Sequence, residues 1–497
     1  MRKIISIFTV LLLAAGCFSC SEKKDTKSDN KPVESDTSVT ETDGSVDEPV
    51  IQQQTELREF KEDDFKTINV NITKTENEPP VQLHSMVTSD IDFGERISPC
   101  KGEKYRDKYK PVFDDENNAD DENREYMEQA DAEWEKSCTE PAKGSVGFWC
   151  QFGNDMYTAV SYDQYCTDGL HEVSIFRING LTGEKTEIYR HSDPVRSFDV
   201  NDLYVFHDRI YIYLEDQLAY IDEDKGELVK IDHLNDYSGY FVENDADRLL
   251  VVSFKARTQE VPDDYEPKTG EEIRAEANGK KSVYLGEDRI LSEYFPDEDR
   301  WSELSRVSIT KDEAYEIDDI STALPQIYGK LFAWPEKPEG KRKYDVVTDE
   351  YRISTGLTGL DILYADHDRL AVRLSSKNIV HIFDIAKMEH YVIDCTSLGV
   401  NSEYFGGGLF AFPSGMSGTL YYIMPELGLT FPLVRLESGS EGNRSEYFFG
   451  QIEGGNIVFE QGVSIGKKEV KDGQSIYYTD YDTKTTRYWV NGDEMNG

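Results

Sequence analysis

The chain reads Leu203-Tyr204-Val205-Phe206-His207-Asp208-Arg209-Ile210-Tyr211-Ile212-Tyr213 in the stretch that sets its architecture: an apolar run, a tight polar turn and a second apolar run. The Asp-Arg-(Ile/Leu) core of this stretch recurs at Asp247-Arg248-Leu249, Asp288-Arg289-Ile290 and Asp368-Arg369-Leu370. The Ile and Leu positions are 39, 41 and 80 residues apart, and Gly329-Lys330-Leu331 divides the longest gap into steps of 41 and 39. A fixed period near 40 residues indicates one supersecondary unit that is repeated.

Each unit shows the same order of signals. An apolar run precedes a turn whose residues tolerate positive φ, and a second apolar run follows. A third strand then leads to a turn that often contains Gly-Glu, as in Lys225-Gly226-Glu227, and a shorter, more polar fourth strand ends the unit. The starts of the second strands are Met156, Ile210, Leu249, Ile290, Leu331, Leu370, Leu409 and Ile457.

Four short antiparallel strands in about 40 residues are typical of a β-propeller blade, which must stack on neighbouring blades to bury its two faces. The sequence therefore predicts an all-β chain with four-stranded antiparallel blades. We expect eight blades. The alternative is seven with a long insertion, because the unit that starts at Leu249 becomes polar and proline-containing at Val261–Pro267. Strand alternation predicts that Leu250, Phe332 and Phe410 lie in the core.

The repeats resemble those of bacterial extracytoplasmic propellers of the PQQ-like and TolB-like kind, over about residues 145–497. The similar elements are the Asp-(Arg/Gly)-Leu-Tyr second strand and the hairpin Ile221-Asp222-Glu223-Asp224-Lys225-Gly226-Glu227. In quinone-cofactor dehydrogenases of this shape, a tryptophan closes most blades shortly after the Thr-Gly turn. Tyr189 and Ile231 stand in that region here, and the five tryptophans do not recur in register. We therefore expect no cofactor.

The N-terminus carries the signals of an exported chain. Met1-Arg2-Lys3 is basic, and the apolar run Ile4–Ala15 is too short to span a bilayer. The run ends in Ala14-Ala15-Gly16-Cys17, which resembles a bacterial lipoprotein signal. That resemblance implies acylation of Cys17 and a lipid-anchored protein at the cell membrane or the cell surface. The alternative is an ordinary secretory signal that contains a cysteine.

Composition divides the rest of the chain. We expect a signal peptide at residues 1–16 and a disordered tether at residues 17–56, which are polar and contain few large apolar residues. Residues 57–144 form an N-terminal region of mixed structure, with a strand pattern at Thr67–Ile72 and the spacing of a surface helix at Asn117–Lys136. The propeller occupies residues 145–497.

The charge of the chain limits its partners. It contains 97 acidic and 54 basic residues, for a formal net charge of -43. Such a surface repels phosphate backbones, so we expect no nucleic-acid partner.

An exported protein can keep disulfides, and the candidates are Cys100, Cys138, Cys150 and Cys166, whose pairing the sequence leaves open. Cys395 follows a strand-like run and is expected to be a buried thiol.

Sequence motifs for catalysis or metal binding are weak in this chain. His207-Asp208 and Asp366-His367-Asp368 occupy the same repeated turn, which favours a local structural role. Asp222-x-Asp224-x-Gly226-Glu227 lacks the remaining oxygen ligands of a calcium loop and is better interpreted as a hairpin turn. We therefore predict no catalytic residue and no metal ligand.

Aromatic residues supply the remaining candidates. Tyr204, Tyr364 and Tyr404 lie on predicted first strands, which line a propeller channel, and tyrosines there can bind sugars or peptides. The alternative is packing between blades.

These observations favour a lipid-anchored, non-catalytic binding or scaffolding module for a protein or glycan at the cell envelope, expected to be a monomer. One alternative is an envelope enzyme that acts on polysaccharide or peptide through carboxylates in the propeller funnel. Another is a structural role in envelope assembly, which the resemblance to propeller lipoproteins implies.

Overall fold

The computed structural model describes residues 57–97, 141–163, 171–192, 200–214, 217–231, 238–242, 244, 247–262, 265, 273–275, 281–310, 324–338, 340–374, 376–399, 401–412, 418–436, 443–453, 455–471 and 475–491. These residues form seven sheets of four or five strands and one two-stranded sheet. Their only helix is the single 3-10 turn Glu62–Asp64, so none of the described helical structure is long and apolar enough to span a membrane.

Each of the seven sheets is one blade, and the blade's own strands pair with one another as antiparallel neighbours. The N-terminal segment contributes β1 (Arg58–Lys61), β2 (Lys66–Val70), β3 (Thr73–Lys74), β4 (Leu83–Val87), β5 (Glu95–Arg96) and β6 (Ala142–Lys143). Blade 1 contains β7 (Ser145–Phe152), β8 (Asp155–Asp163), β9 (His171–Asn179) and β10 (Lys185–Ser192). Blade 2 contains β11 (Val200–Phe206), β12 (Arg209–Leu214), β13 (Gln217–Asp222) and β14 (Glu227–Lys230). Blade 3 contains β15 (Ser238–Val242), β16 (Leu249–Val261), β17 (Ile273–Ala275), β18 (Lys281–Phe295) and β19 (Arg300–Thr310).

The second half of the ring repeats the pattern. Blade 4 contains β20 (Gln326–Tyr328), β21 (Leu331–Glu336), β22 (Asp345–Thr348) and β23 (Tyr351–Ser354). Blade 5 contains β24 (Asp361–Ala365), β25 (Arg369–Arg373), β26 (Ile379–Asp384) and β27 (Glu389–Asp394). Blade 6 contains β28 (Asn401–Phe405), β29 (Gly408–Phe412), β30 (Gly418–Met424) and β31 (Leu429–Leu436). Blade 7 contains β32 (Asn443–Glu453), β33 (Asn456–Lys471) and β34 (Ser475–Asn491), and β4 is its outermost strand.

The described structure is an all-β propeller with seven blades, which matches the alternative count. The preferred count of eight is one too many, because Leu249 and Ile290 belong to the same sheet. Leu249 begins the second strand of blade 3, whereas Ile290 lies inside the third strand and pairs with Ser253. A long insertion between β16 and β18, which includes β17, separates these positions by nearly one repeat length. The other seven positions of the ladder each lie in the second strand of a blade.

Apolar side chains fill the spaces between consecutive blades. Leu250, Phe332 and Phe410 are buried as predicted. Adjacent residues of β29, the second strand of blade 6, pack on opposite sides of the blade. Leu409 packs between blades 5 and 6, and Phe410 packs between blades 6 and 7. Because successive side chains of a strand point to opposite faces, each of blades 2 to 6 shares an apolar core with both neighbours.

Residues 57–97, which we call the belt, run along the outer edges of blades 4 to 7. β1, β2 and β3 pair in parallel with β23, β27 and β31, and β4 pairs antiparallel with β34. The belt therefore pairs backbone groups on four outer edges that would otherwise be open. The strand pattern at Thr67–Ile72 corresponds to β2, whereas the predicted helix at Asn117–Lys136 lies outside the described residues.

The belt contacts the third-to-fourth-strand turn in each of three successive blades. The amides of three belt residues, spaced eight and seven positions apart, donate to carbonyl oxygens in the third-to-fourth-strand turns. These bonds are Arg58 to Glu350 (3.2 Å), Lys66 to Met388 (2.9 Å) and Thr73 to Gly428 (2.8 Å). Gly428 has a φ of 67°, and a Cβ on it would lie 2.3 Å from the carbonyl oxygen of Asn71. The turn can therefore hold the belt only with glycine there.

Blade 7 meets blade 1 through buried polar side chains, and we call this contact the closing interface. Arg487 of β34 is buried and forms an ion pair with the buried Glu453 of β32. Its Nη1 also lies 3.4 Å from the Oε2 atom of Glu460, and its Nε donates to the Oε1 atom of Gln151 in blade 1 at 3.4 Å. Directional contacts therefore join the first and the last blade.

Further contacts of the closing interface involve a tryptophan and the belt. Trp489 donates from Nε1 to the Oδ1 atom of Asn154 at 3.1 Å, and its ring stacks on His84 of β4. Past this point, Arg96 of the belt forms ion pairs with Glu172 and Glu187 of blade 1. The belt thus crosses the junction of the two blades and contacts both.

Candidate functional site

The first-to-second-strand turns of the seven blades emerge at one end of the ring, together with the third-to-fourth-strand turns. We call this end the hairpin face. Four of its first turns contain glycine with positive φ, namely Gly153 (56°), Gly329 (72°), Gly406 (58°) and Gly455 (77°). These turns connect the innermost strand of each blade to the next, so they surround the mouth of the central channel.

Blades 2 and 3 depart from this use of glycine. His207 and Asp208 have φ values of 48° and 58°, and Asp247 has a φ of 54°. A left-handed conformation costs a residue with a side chain about 1–2 kcal/mol, although Asp and His tolerate it better than most. These two blades therefore present polar side chains at turn positions that glycine would occupy with less strain. The positive φ expected of the repeated turns is confirmed at Asp208, Asp247 and Gly329.

The turn of blade 5 is stabilised differently. The Oδ1 atom of Asp366 accepts hydrogen bonds from the amides of Asp368 (2.9 Å) and Arg369 (2.7 Å). The side chain of Asp366 thus replaces the backbone contacts of a glycine turn.

The arginine of the repeated motif ties blades together. Arg248 donates to both carboxylate oxygens of Glu293 on the third strand of its own blade, at 3.0 and 2.6 Å, and lies over the ring of Phe332 in blade 4. Arg369 donates to the hydroxyl of Tyr404 in blade 6 at 3.2 Å. Bidentate and cation–π contacts of this kind suit arginine better than lysine, which explains the residue type.

The copy at Asp288-Arg289 does not form a turn, contrary to the repeat pattern. Arg289 is buried in β18, where its Nε lies 2.8 Å from the Oε1 atom of Glu287. Asp288 accepts from Arg306 (3.0 Å) and from the hydroxyl of Ser308 (2.7 Å). Both residues belong to a polar network within blade 3 and not to the hairpin face.

A cavity of about 530 Å³ opens on the hairpin face at the turns of blades 7, 1, 2 and 3, and we call it the acidic depression. Its lining residues are Phe152, Tyr204, Val205, Phe206, His207, Asp208, Asn244, Asp247 and Gly455. The Nε2 atom of His207 lies 2.7 Å from the Oδ1 atom of Asp247, and both side chains are exposed. The ring of His207 also stacks on Phe206 at 4.0 Å between centroids.

A second cavity of about 300 Å³ opens on the same face over blades 4, 5 and 6, and we call it the mixed depression. Its lining residues are Lys330, Tyr364, Asp366, Asp368, Arg369, Asp384, Ala386, Lys387 and Gly406. Lys387 forms ion pairs with Asp384 (3.2 Å) and with Glu426. The mixed depression therefore contains cations and anions that largely neutralise one another.

The three candidate tyrosines all lie on innermost strands and are buried. Tyr204 stacks on Phe241 of blade 3, with centroids 5.5 Å apart, and Tyr364 meets Tyr404 edge-on at 5.6 Å. These are contacts between blades. Tyr204 also lines the acidic depression, and Tyr364 lines the mixed depression. Ligand binding by these tyrosines stays a prediction.

The channel holds carboxylates that sequence reasoning did not single out. Arg373 of blade 5 donates to Asp361 (3.1 Å) and to Glu403 of blade 6 (3.0 Å), both on innermost strands. Burial raises the pKa of Glu403, although Arg373 opposes the shift. In blade 2, burial raises the pKa of Asp202 to about 6, while its carboxylate accepts the amides of Leu203 and Phe241. The only sequence signal was an acid one or two residues before an inner-strand aromatic or apolar residue.

A histidine pair lies inside blade 5. His381 and His390 are buried, with the Nδ1 of the first 3.0 Å from the Nε2 of the second. His390 stacks on Phe383, which packs towards blade 4. Burial lowers the pKa of both imidazoles to about 4. Neutral imidazoles are therefore the folded-state form at neutral pH.

The described residues contain two of the cysteines, Cys150 and Cys395. Cys150 is buried in β7, whereas Cys17, Cys100, Cys138 and Cys166 lie outside the described residues, so lipidation and disulfide pairing stay predictions. Cys395 is a buried thiol as expected, and burial raises its pKa to about 11.

No group of three or more His, Cys, Asp or Glu side chains is placed to hold a metal ion within the described part of the chain. The loop that superficially suggested calcium is the turn between β13 and β14. There Gly226 has a φ of 65°, and Asp222 forms an ion pair with Lys225. The hairpin interpretation of that loop is confirmed.

Comparison with known proteins finds similar chains among solved structures. No family model matches the chain, and no curated protein matches it. Among solved structures, the chain is similar to the β-propeller domain of the Trilobed protease from Pyrococcus furiosus, with 11% identity over 68% of this chain and 99% of that chain and a TM-score of 0.35. The AfRom2 CNH domain is similar at 9% identity over 70% of this chain and 95% of that chain, with a TM-score of 0.30.

An acylaminoacyl peptidase from Pyrococcus horikoshii is similar at 13% identity over 68% of this chain, with a TM-score of 0.37. The match spans 52% of that peptidase, about half of its length. The seven blades formed by the described residues make the chain a β-propeller protein, and its activity must be inferred from its own surface.

Proposed function

We propose that this chain is a membrane-anchored extracytoplasmic lipoprotein whose propeller is a non-catalytic binding or scaffolding module. The partner is a protein or glycan of the cell envelope, held on the hairpin face. The observation that carries the proposal is that two cavities open on this one face and are lined by exposed turn residues such as His207, Asp208 and Asp368, whose side chains are not used to pack the blades. Exposed polar groups on turns of a rigid scaffold are typical of binding surfaces.

The entry of the chain into the ring fits an anchored protein. Residue Arg58 begins β1 at the hairpin face, where its amide donates to Glu350 and its side chain donates to the carbonyl of His367 at 2.9 Å. In the proposed lipoprotein, a tether of residues 17–56, acylated at Cys17, precedes β1 in the sequence. The lipoprotein-like sequence Ala14-Ala15-Gly16-Cys17 supports this anchor.

An envelope enzyme is the alternative, and the carboxylates at Arg373 are its best support. Glu403 has a raised pKa, as a general acid requires, and Asp361 lies on the adjacent inner strand. However, Arg373 donates to both carboxylates, which stabilises their charged forms and occupies their oxygens. An enzyme of this kind would release reducing sugar or new amino termini from envelope polymers, and Glu403→Gln would abolish the release.

A substitution on the hairpin face tests the binding module. The lipidated full-length protein is incubated with envelope extract and a glycan array, as wild type and as Lys330→Glu. Lys330 is exposed at the first turn of blade 4 and lines the mixed depression. We expect the substitution to reduce retention of the partner at least fivefold, because it reverses a charge on the proposed surface.

Lys341→Glu is the matched control, since Lys341 is exposed in the second-to-third-strand connection of the same blade, at the other end of the ring. Equal loss of retention in both variants would show that only the net charge matters. Unchanged retention in Lys330→Glu together with loss in Lys341→Glu would place the partner on the opposite face and overturn the proposal.

A further inference from the structure

We infer that the acidic depression accepts the ammonium or guanidinium group of a lysine or arginine side chain on a partner polypeptide. This inference rests on the proposed function and assigns the chemistry of one of its two cavities. It follows from three features of the cavity: the sign of its charge, the absence of lysine and arginine from its described lining, and its aromatic wall.

The charge of the acidic depression is negative. Asp208 and Asp247 line it, and its described lining residues include neither lysine nor arginine. The carboxylate of Asp208 has no hydrogen bond or ion pair to any other described residue, and the carboxylate of Asp247 contacts the ring of His207. An unpaired carboxylate at a cavity wall attracts a cation more strongly than one in open water.

The cations of the repeated motif are turned away from this cavity. Arg209 follows Asp208 in sequence but lies over the ring of Tyr220, 4.5 Å from its centroid, on the third strand of blade 2. Arg248 follows Asp247 but is held by Glu293 on the third strand of blade 3. Each Asp-Arg pair therefore separates its charges, with the carboxylate at the channel mouth and the guanidinium directed outward along the blade.

The mixed depression shows what happens without this separation. Lys330, Arg369 and Lys387 line that cavity beside three aspartates, and ion pairs within it satisfy Asp384. A cation from a partner would meet a near-neutral surface there. None of the described residues that line the acidic depression is a lysine or an arginine, so a partner can supply the corresponding cation there.

The wall of the acidic depression suits a side chain with an apolar stem and a charged end. The half-buried ring of Phe152 lines the cavity together with edges of the buried rings of Tyr204 and Phe206, and the cavity of about 530 Å³ exceeds the volume of one side chain. Aromatic rings attract cations by about 0.5–2 kcal/mol, and lysine and arginine stems pack well on apolar surface. A neutral glycan would donate hydroxyl hydrogen bonds to the carboxylates but would gain no charge–charge attraction, so the observations favour a basic polypeptide segment.

Titration with defined probes tests the inference. The full-length protein is titrated by calorimetry with capped Gly-Arg-Gly-Arg-Gly, capped Gly-Glu-Gly-Glu-Gly and chitotetraose. We expect binding of the arginine peptide only, weakened about tenfold or more in Asp208→Asn/Asp247→Asn, and weakened by raising the salt concentration. Asparagine tolerates the left-handed conformation, so the double variant should retain the thermal stability of the wild type.

Asp224→Asn is the matched control, because Asp224 is exposed in a third-to-fourth-strand turn of the same face but does not line the cavity. Equal weakening in this control would overturn the inference, since it would reflect overall charge. Stronger binding of chitotetraose, unaffected by the Asp substitutions, would also overturn it and favour a glycan site.

The inference and the proposed function can fail separately. If no probe binds while Lys330→Glu still abolishes retention of an envelope partner, the inference is wrong and the binding face stands. If no probe binds and Lys330→Glu has no effect on retention, both are wrong.

Discussion

The closing interface and the interface between blades 5 and 6 solve the same packing problem with different chemistry. Between blades 5 and 6, Leu409, Ile382 and Ile423 belong to a continuous apolar cluster. Between blades 7 and 1, Arg487 and Trp489 of blade 7 donate hydrogen bonds to Gln151 and Asn154 of blade 1, and the buried Glu453 of blade 7 pairs with Arg487.

The difference reflects how the two interfaces are formed. Blades 5 and 6 are joined by a short connection, so nonspecific burial is enough to bring them together. Blades 7 and 1 lie about 300 residues apart in sequence, as the Asn456–Gly153 hydrogen bond shows. Directional contacts define one geometry, which is useful where the chain itself does not hold the two partners in register.

The largest expected effect comes from placing a charge in the apolar interface. Leu409→Asp should abolish cooperative folding, a loss of about 5 kcal/mol or more, because Leu409 is fully buried between two blades. Circular dichroism and gel filtration would detect the loss. Leu427→Asp is the matched control, since Leu427 lies in a turn of the same blade and is 61% exposed. Native-like unfolding of Leu409→Asp would contradict the assignment of this strand.

The next effect concerns the ion pair of the closing interface. Arg487→Met should destabilise the protein by about 3–5 kcal/mol, because it leaves Glu453 charged and buried. Arg487→Met/Glu453→Gln should recover a large part of that loss, as denaturant unfolding would measure. Arg435→Met, at an exposed site on β31, controls for the substitution itself. Equal stability of Arg487→Met and Arg487→Met/Glu453→Gln would mean that the ion pair does not stabilise the closing interface.

The buried His381–His390 pair should make the folded protein less stable in acid than at neutral pH. The pKa of His381 and of His390 is lowered to about 4, so the unfolded chain binds protons at a higher pH than the folded chain. Their contribution to stability is complete above about pH 6.5 and is lost as the pH falls towards 4. His381→Leu/His390→Phe should reduce the stability lost between pH 7 and pH 5 by about 2–3 kcal/mol.

Urea unfolding at both pH values would measure this difference, and His207→Asn provides a control at an exposed histidine. Parallel losses in the histidine variant and in the wild type would show that carboxylates alone govern the acid response. In that case protonation of His381 and His390 would not measurably weaken the contact between blades 4 and 5.

The repeated turn was a reliable guide because its next residue is buried in every blade. Ile210, Leu331 and Leu370 all begin second strands as their spacing predicts. The pattern misled at Ile290 because third strands are buried as well, and an Asp-Arg pair inside a strand has the same letters as one at a turn. Sequence spacing does not distinguish a new blade from an insertion of one repeat length.

The grouping of residues on the hairpin face is only partly predictable from the sequence. The turn residues His207, Asp208 and Asp368 were identified, but they were interpreted as local structure. Their grouping depends on which turns face the same end of the ring and on where each following arginine points. Neither property has a signature in a single repeat.

The amino-acid sequence alone establishes an acidic chain built from strands, turns and a period near 40 residues, because burial and turn chemistry act between near neighbours. The number of blades, the belt and the closing interface depend on pairs such as Arg58 with Tyr351 and Leu83 with Val490, which lie hundreds of residues apart. Such pairs form only after the blades are stacked in a ring, and their energies come from edges and charges that the ring brings together. Folding in three dimensions therefore decides which carboxylates remain unpaired at the channel mouth.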